Sequence, residues 1–238
     1  MSTTKVTSSV IGDNEVKTVN ILNANVTTAK VADDAITLAK MAPGTDGNLI
    51  SFDASGNPAA VATGSLGNVL TSAGAGAPPT MAMPSTITSD TSVGTGTAYN
   101  VTGIPAGVRC VSILFEGIST NGTSPVLVQL GDSGGIETSG YEAEGAQSNG
   151  PSTQTSTAGF PVFCHLATHG ISGIMDLRLK DAANFTWVSS HSARAFTNVA
   201  LYGGGVKSLS AQLTQLRITT IGGSAAFDAG SVALQYGY

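Results

Sequence analysis

Twelve of the thirteen aromatic rings of this 238-residue chain lie between Tyr99 and Tyr238, and Phe52 is the only ring before them. A segment without bulky side chains buries too little apolar area to offset the entropy of ordering its backbone, about 1 to 2 kcal/mol per residue, unless copies of it associate. A large self-sufficient core is therefore expected only in the second part, with an oligomeric or elongated N-terminal part before it. Charged residues make up only 11% of the chain, against roughly 25% in an ordinary globular domain. Ser, Thr, Asn, Gln and Gly replace them, a pattern of extracellular or virion β-proteins and unlike helical cytosolic enzymes.

The ring-poor part carries a repeat. Val6, Ile11, Val16, Ile21, Val26, Val31, Ile36 and Met41 follow one another at steps of five, with small or polar residues filling nearly everything between them. Five fits neither the strand period of two nor the helical 3.6. One large apolar residue in five cannot enclose a monomer core, whereas several chains side by side would stack these residues along a common axis. A short amphipathic helix from about Thr27 to Met41 is one alternative. A quadrilateral β-helix of pentapeptide type is another, weakened because eight repeats supply about two coils, below the minimum of about three units for a solenoid.

From Pro43 to about Thr97 the chain turns to Gly, Ala, Ser, Thr and Pro, with turn clusters at Pro43–Asn48, Ala54–Pro58 and Ala73–Pro79. The apolar pieces between them, Leu49–Phe52 and Asn68–Leu70, are short enough for hairpin-like shaft segments. Strand signals then recur between turn signals: Val108–Phe115, Val126–Leu130, Pro161–His165, Ile174–Leu179, Phe185–Val188, Val199–Tyr202, Gln215–Ile221 and Ser231–Tyr236. Leu177-Arg178-Leu179 and Leu216-Arg217-Ile218 alternate as antiparallel strands with one buried face do. The expectation is an all-β C-terminal β-sandwich head, jelly-roll-like, over 98–238. It follows an anchor and repeat over 1–45 and a shaft over 46–97.

Charge and hydropathy exclude several functions. The formal net charge is −5, and the ten Lys plus Arg are not clustered, so the basic footprint of nucleic-acid binding is missing. Apolar stretches such as Val111–Phe115 fall far short of the ~20 residues that span a bilayer, and Met1–Val10 has no apolar secretory core. Synthesis in a cytoplasm is expected, with Cys110 and Cys164 as free thiols.

The stretch from Asn25 to Ala42 (NVTTAKVADDAITLAKMA), followed by Gly44 to Ala59 (GTDGNLISFDASGNPA), resembles the N-terminal region of many tailed-bacteriophage fibre proteins. The C-terminal part, with Gly117–Ser124, Leu127–Tyr141, Leu216–Thr220 and Phe227–Val232, is similar to a terminal β-domain of phage tail fibres. The resemblance implies a homotrimer, made in the bacterial host cytoplasm and carried on the virion. It implies attachment to other virion proteins through the N-terminal region and presentation of the head to the host surface. A structural capsid or neck fibre, or a decoration protein without a receptor, is the alternative that the short chain favours.

Several constellations bear on chemistry. Gly131-Asp132-Ser133-Gly134-Gly135 reproduces the residues around the nucleophile of chymotrypsin-like proteases, but in that family the base His precedes the Ser, and here His165, His169 and His191 all follow it. A turn is the expected role. Cys164, His165 and His169 offer soft ligands without a fourth partner, and a strand would point Cys164 and His165 to opposite faces. Glu137, Glu142 and Glu144 contain the paired carboxylates that glycoside hydrolysis uses, in what reads as a solvated loop. No enzyme, cofactor or metal is expected. Glycan recognition needs only exposed rings beside neutral hydrogen-bonding groups, and Tyr141, Trp187, His191, Arg194 and Tyr202 are the candidates for contact with a host surface glycan or outer-membrane receptor. Among them Trp187, alternating with Phe185, reads best as core and Tyr141 best as exposed.

Overall fold

The computed structural model describes residues 17, 19, 21–32, 35–36, 47–149, 152–164, 170–195 and 198–238. Of the five-residue repeat, Val6, Ile11, Val16 and Met41 lie outside these residues. Ile21, Val26 and Ile36 are exposed and Val31 is half-buried. Of the described residues there, Thr28–Lys30 form a 3-10 turn. Among the described residues there is no α-helix, and no helix long and apolar enough to cross a membrane.

Two compact units share the chain. One comprises Met1–Thr63 and Ser72–Thr80, the other Gly64–Thr71 and Met81–Tyr238. In the first, β1 (Leu49–Phe52) and β2 (Pro58–Val61) form an antiparallel hairpin. Its turn is closed by the Asp53 carboxylate, which accepts the N–H groups of Ser55 at 2.8 Å and Asn57 at 2.9 Å. Those hydrogen bonds, that from the Asn57 backbone foremost, hold the Asp53 carboxyl below its usual pKa. A second two-stranded sheet pairs β3 (Val69–Thr71) with β4 (Thr80–Ala82).

The remaining strands follow in chain order: β5 (Ser85–Ile87), β6 (Thr91–Ser92), β7 (Ala98–Thr102), β8 (Cys110–Thr120), β9 (Val126–Asp132), β10 (Gly135–Ile136), β11 (Tyr141–Gln147), β12 (Thr153–Ser156), β13 (Phe160–Val162), β14 (Ile171–Asp181), β15 (Thr186–Ala195), β16 (Val199–Ser208), β17 (Gln215–Thr220) and β18 (Phe227–Gly237). A five-stranded sheet runs β10-β9-β17-β7, with β13 also on β9. A nine-stranded sheet runs β12-β11-β16-β15-β14-β8-β18-β5, with β6 also on β18. The short β5 and β6 extend the large sheet with residues that precede position 98.

The architecture is all-β, and the two sheets share one hydrophobic core, consistent with a β-sandwich. Ile113, Met175, Leu177, Trp187, Leu201 and Leu234 face inward from the large sheet, and Val128, Leu130, Leu216 and Ile218 from the small one. Period-two alternation puts them there: β8 and β15 each place a buried residue at nearly every second position. The order departs from a jelly roll in one respect. β14, β15 and β16 are consecutive hairpin neighbours in one sheet, whereas a jelly roll is built from two Greek keys. Their connections are short enough to close directly, the β14–β15 turn being fixed by the Asp181 carboxylate on the Ala183 and Asn184 N–H groups.

All eight expected strands overlap observed ones, and within 98–238 β7, β10, β11 and β12 are additions. The segment Tyr141–Gln147 is a strand, not a solvated loop. Its inward positions include Tyr141, Gly145 and Gln147, too small or too polar on average to give an apolar alternation.

Candidate functional site

The outward face of the large sheet, at the β11–β16–β15 end, collects the accessible groups. Gly204 of β16 lies opposite Glu144 of β11 and Ser190 of β15. With no side chain at Gly204, the face sinks into an open groove of about 580 Å³, lined by Glu142, Glu144, Thr155 and Thr157. Glu142 and Glu144 are two positions apart on one strand and so project from the same face. Tyr202 precedes Gly204 by two positions, pairs with Ala146 and Ser192, and leaves 53% of its surface in solvent. Arg194, also exposed, stands one diagonal step from it across β15. The structure thus brings Tyr202 and Arg194 together, beside hydroxyls and carboxylates that sequence reading took for a loop.

The other three candidates sit on the inward face. Tyr141 is 1% exposed, so its expected role as a surface ring is corrected. Its ring meets Phe160 edge-on at 5.1 Å, and its hydroxyl accepts the Leu130 N–H at 2.7 Å and donates to the Glu137 carbonyl at 3.0 Å. Burial, foremost, pushes its phenol well above the ordinary range. Trp187, at 2% exposure, belongs to the core. His191 is buried between Met175 and Gly203, and neither ring nitrogen has a hydrogen-bond partner among the described residues. Position within a strand decides all three: Trp187, Ser189 and His191 share the inward parity of β15, whereas Ser190, Ser192 and Arg194 share the outward one.

The catalytic alternatives separate in space. Ser133 is exposed in the β9–β10 turn, where the buried Asp132 carboxylate accepts the Gly134 N–H and the Ser210 hydroxyl. The Ser210 hydroxyl, first, and the Gly134 N–H hold Asp132 below its usual pKa. His191 lies apart from this turn, buried on the inward face of β15. Glu137 does not join Glu142 and Glu144: it forms an ion pair with Lys207, which also donates to the Ser139 carbonyl at 2.9 Å and lies 5.2 Å from the Tyr141 ring centroid. Burial raises the Glu137 pKa, but the Lys207 and Ser210 hydrogen bonds outweigh it and keep the carboxyl below its usual value. Cys164 is buried and Cys110 half-buried, and no disulfide joins the two, while His165 and His169 lie outside the described residues.

Comparison of the chain with family models, with curated proteins and with solved structures gives no match.

Proposed function

We propose that this chain is a bacteriophage tail fibre, a homotrimer held on the virion by its N-terminal region, whose C-terminal β-head adsorbs to a glycan or outer-membrane receptor of the bacterial host. The observation that carries this reading is the exposed Tyr202 ring, two positions along β16 from the Gly204 that floors the groove and on the same face of the sheet. A sugar needs a flat apolar ring to stack on and neutral or anionic acceptors for its hydroxyls, and Tyr202, Ser190, Thr155 and Glu144 supply both within one exposed face. No buried or catalytic group is required. The exposed Val19, Ile21, Leu22, Val26, Leu49, Ile50 and Phe52 supply the apolar surface that copies of the chain would cover in a trimer. Several weak head contacts on one particle then raise avidity far above any single affinity.

Adsorption competition tests this. Saturating purified protein is expected to block phage attachment, and Tyr202→Ala to require several-fold more protein for the same block. Undiminished attachment at saturating protein would count against the reading and favour a capsid or neck fibre that serves structure alone.

A further inference from the structure

We propose a ligand site distinct from the groove: a cavity of about 260 Å³ between the β7–β8 connection, the β14–β15 hairpin and the β16–β17 connection, which takes a single apolar ring bearing a carboxylate. Its walls are Val108, Leu179, Phe185, Trp187 and Leu213, with Arg109 as the one charged residue lining it.

Three observations specify the occupant. The first is size. Sites for drug-sized ligands run from roughly 300 to 1,000 Å³, so this one holds a fragment, and two aromatic side chains in its wall suit a flat ring. The second is charge. The chain carries a net charge of −5, yet no Asp or Glu lines the cavity, and the ion pair seen among the described residues is Lys207–Glu137. The Arg109 guanidinium is therefore free of a carboxylate partner among the described residues, and its planar fork of donors matches a carboxylate in two parallel hydrogen bonds. The third is backbone strain. Phe185 is not a glycine, yet it sits at φ 49°, a conformation that costs about 1 to 3 kcal/mol and persists only where the surroundings impose it. The Leu209 N–H holds its carbonyl at 3.2 Å, and the hairpin keeps the ring at the cavity wall. The β14–β15 turn so becomes one side of a shaped recess.

Trp187 is the only tryptophan of the chain and reports on the cavity directly. The test is a fluorescence titration of the full-length protein with phenylacetate and, in parallel, its neutral isostere phenylacetamide. A saturable change with phenylacetate is expected, with phenylacetamide weaker. Arg109→Gln should weaken phenylacetate about tenfold or more, the loss of a charged hydrogen bond. Ala182→Phe places a ring from the exposed turn into the cavity mouth and should abolish the change while the unfolding midpoint stays in place. The proposal is overturned if Trp187 emission shows no saturable response to phenylacetate, or if either variant binds as the parent does. None of these outcomes depends on host adsorption, so this site and the groove stand or fall separately.

Discussion

His191 shows how a single side chain reverses its role once its parity along a strand is known. In Ser189-Ser190-His191-Ser192 it reads as part of a polar loop, but in β15 it faces the core, 7% exposed, with Met175 and Gly203 as cross-strand neighbours. Burial lowers its pKa from 6.5 to about 4. The native imidazole is therefore neutral over a range in which the unfolded chain already takes up a proton. The His191 contribution to stability is fully present well above pH 6.5 and is lost as the pH drops towards 4, by roughly 2 kcal/mol at pH 5 at about 1.4 kcal/mol per pH unit. Denaturant unfolding at pH 7 and pH 5 should show this loss, and His191→Leu should remove most of it. An unchanged slope in that variant would mean that other groups carry the pH dependence. Tyr141 makes the same point without titration: its neighbours Ser139, Gly140 and Glu142 suggest solvent, and only the approach of β9, which brings Leu130 to its hydroxyl, buries it.

Among the elements, β11 and β16 owe their pairing to glycine. Gly145, Gly203 and Gly205 lie opposite one another or opposite Ala143, and this missing bulk lets β13 settle onto β11. A β-carbon at Gly145 would come within 2.4 Å of the Pro161 carbonyl oxygen, backbone that cannot swing aside. Gly145→Ala is expected to lower stability by about 1 to 3 kcal/mol, as overpacking does, read as a lower urea midpoint. Gly96→Ala is the control, since its added carbon would meet nothing closer than 3.6 Å. Equal midpoints for the two variants would refute the close-packing account. The same glycines explain why these strands were hard to read from sequence. Tyr141–Gln147 alternates in burial, but its inward residues, Tyr141, Ala143, Gly145 and Gln147, do not make an apolar series. Strands such as Val126–Asp132, buried along their whole length, were legible from hydrophobic runs alone.

For the whole molecule, the division between ring-poor and ring-rich parts persists in the pattern of burial. The large buried side chains, Trp187, Phe160, Phe227 and Ile113 among them, belong to the unit that holds Met81–Tyr238, while Leu49, Ile50 and Phe52 of the other unit remain exposed. An isolated two-stranded hairpin is at best marginally stable in water, and β1–β2 presents its apolar residues to solvent. Association of copies would cover them, so sedimentation or light scattering of the full chain is expected to give about three times the 23.7 kDa of one chain. A monomer mass would remove the trimer and, with it, the avidity on which adsorption through weak contacts depends.

Composition and pattern were sufficient for the all-β class and for eight of its strands, because hydrophobic periodicity and turn chemistry are local properties of the chain, but not for Val93, β5 and β6, which join the core and the large sheet from before residue 98. They also brought Tyr202 and Arg194 into view, because exposed rings and cations stand out against a polar background. The tertiary structure alone decided that Tyr141 and His191 face inward, that Gly204 opens a groove on the face that carries Tyr202, and that Arg109 and Trp187 line one cavity. Each of these depends on which strand lies opposite which and in what register. A shift of one residue exchanges the two faces of a strand, and in strands built from serine and glycine the sequence itself does little to fix that choice.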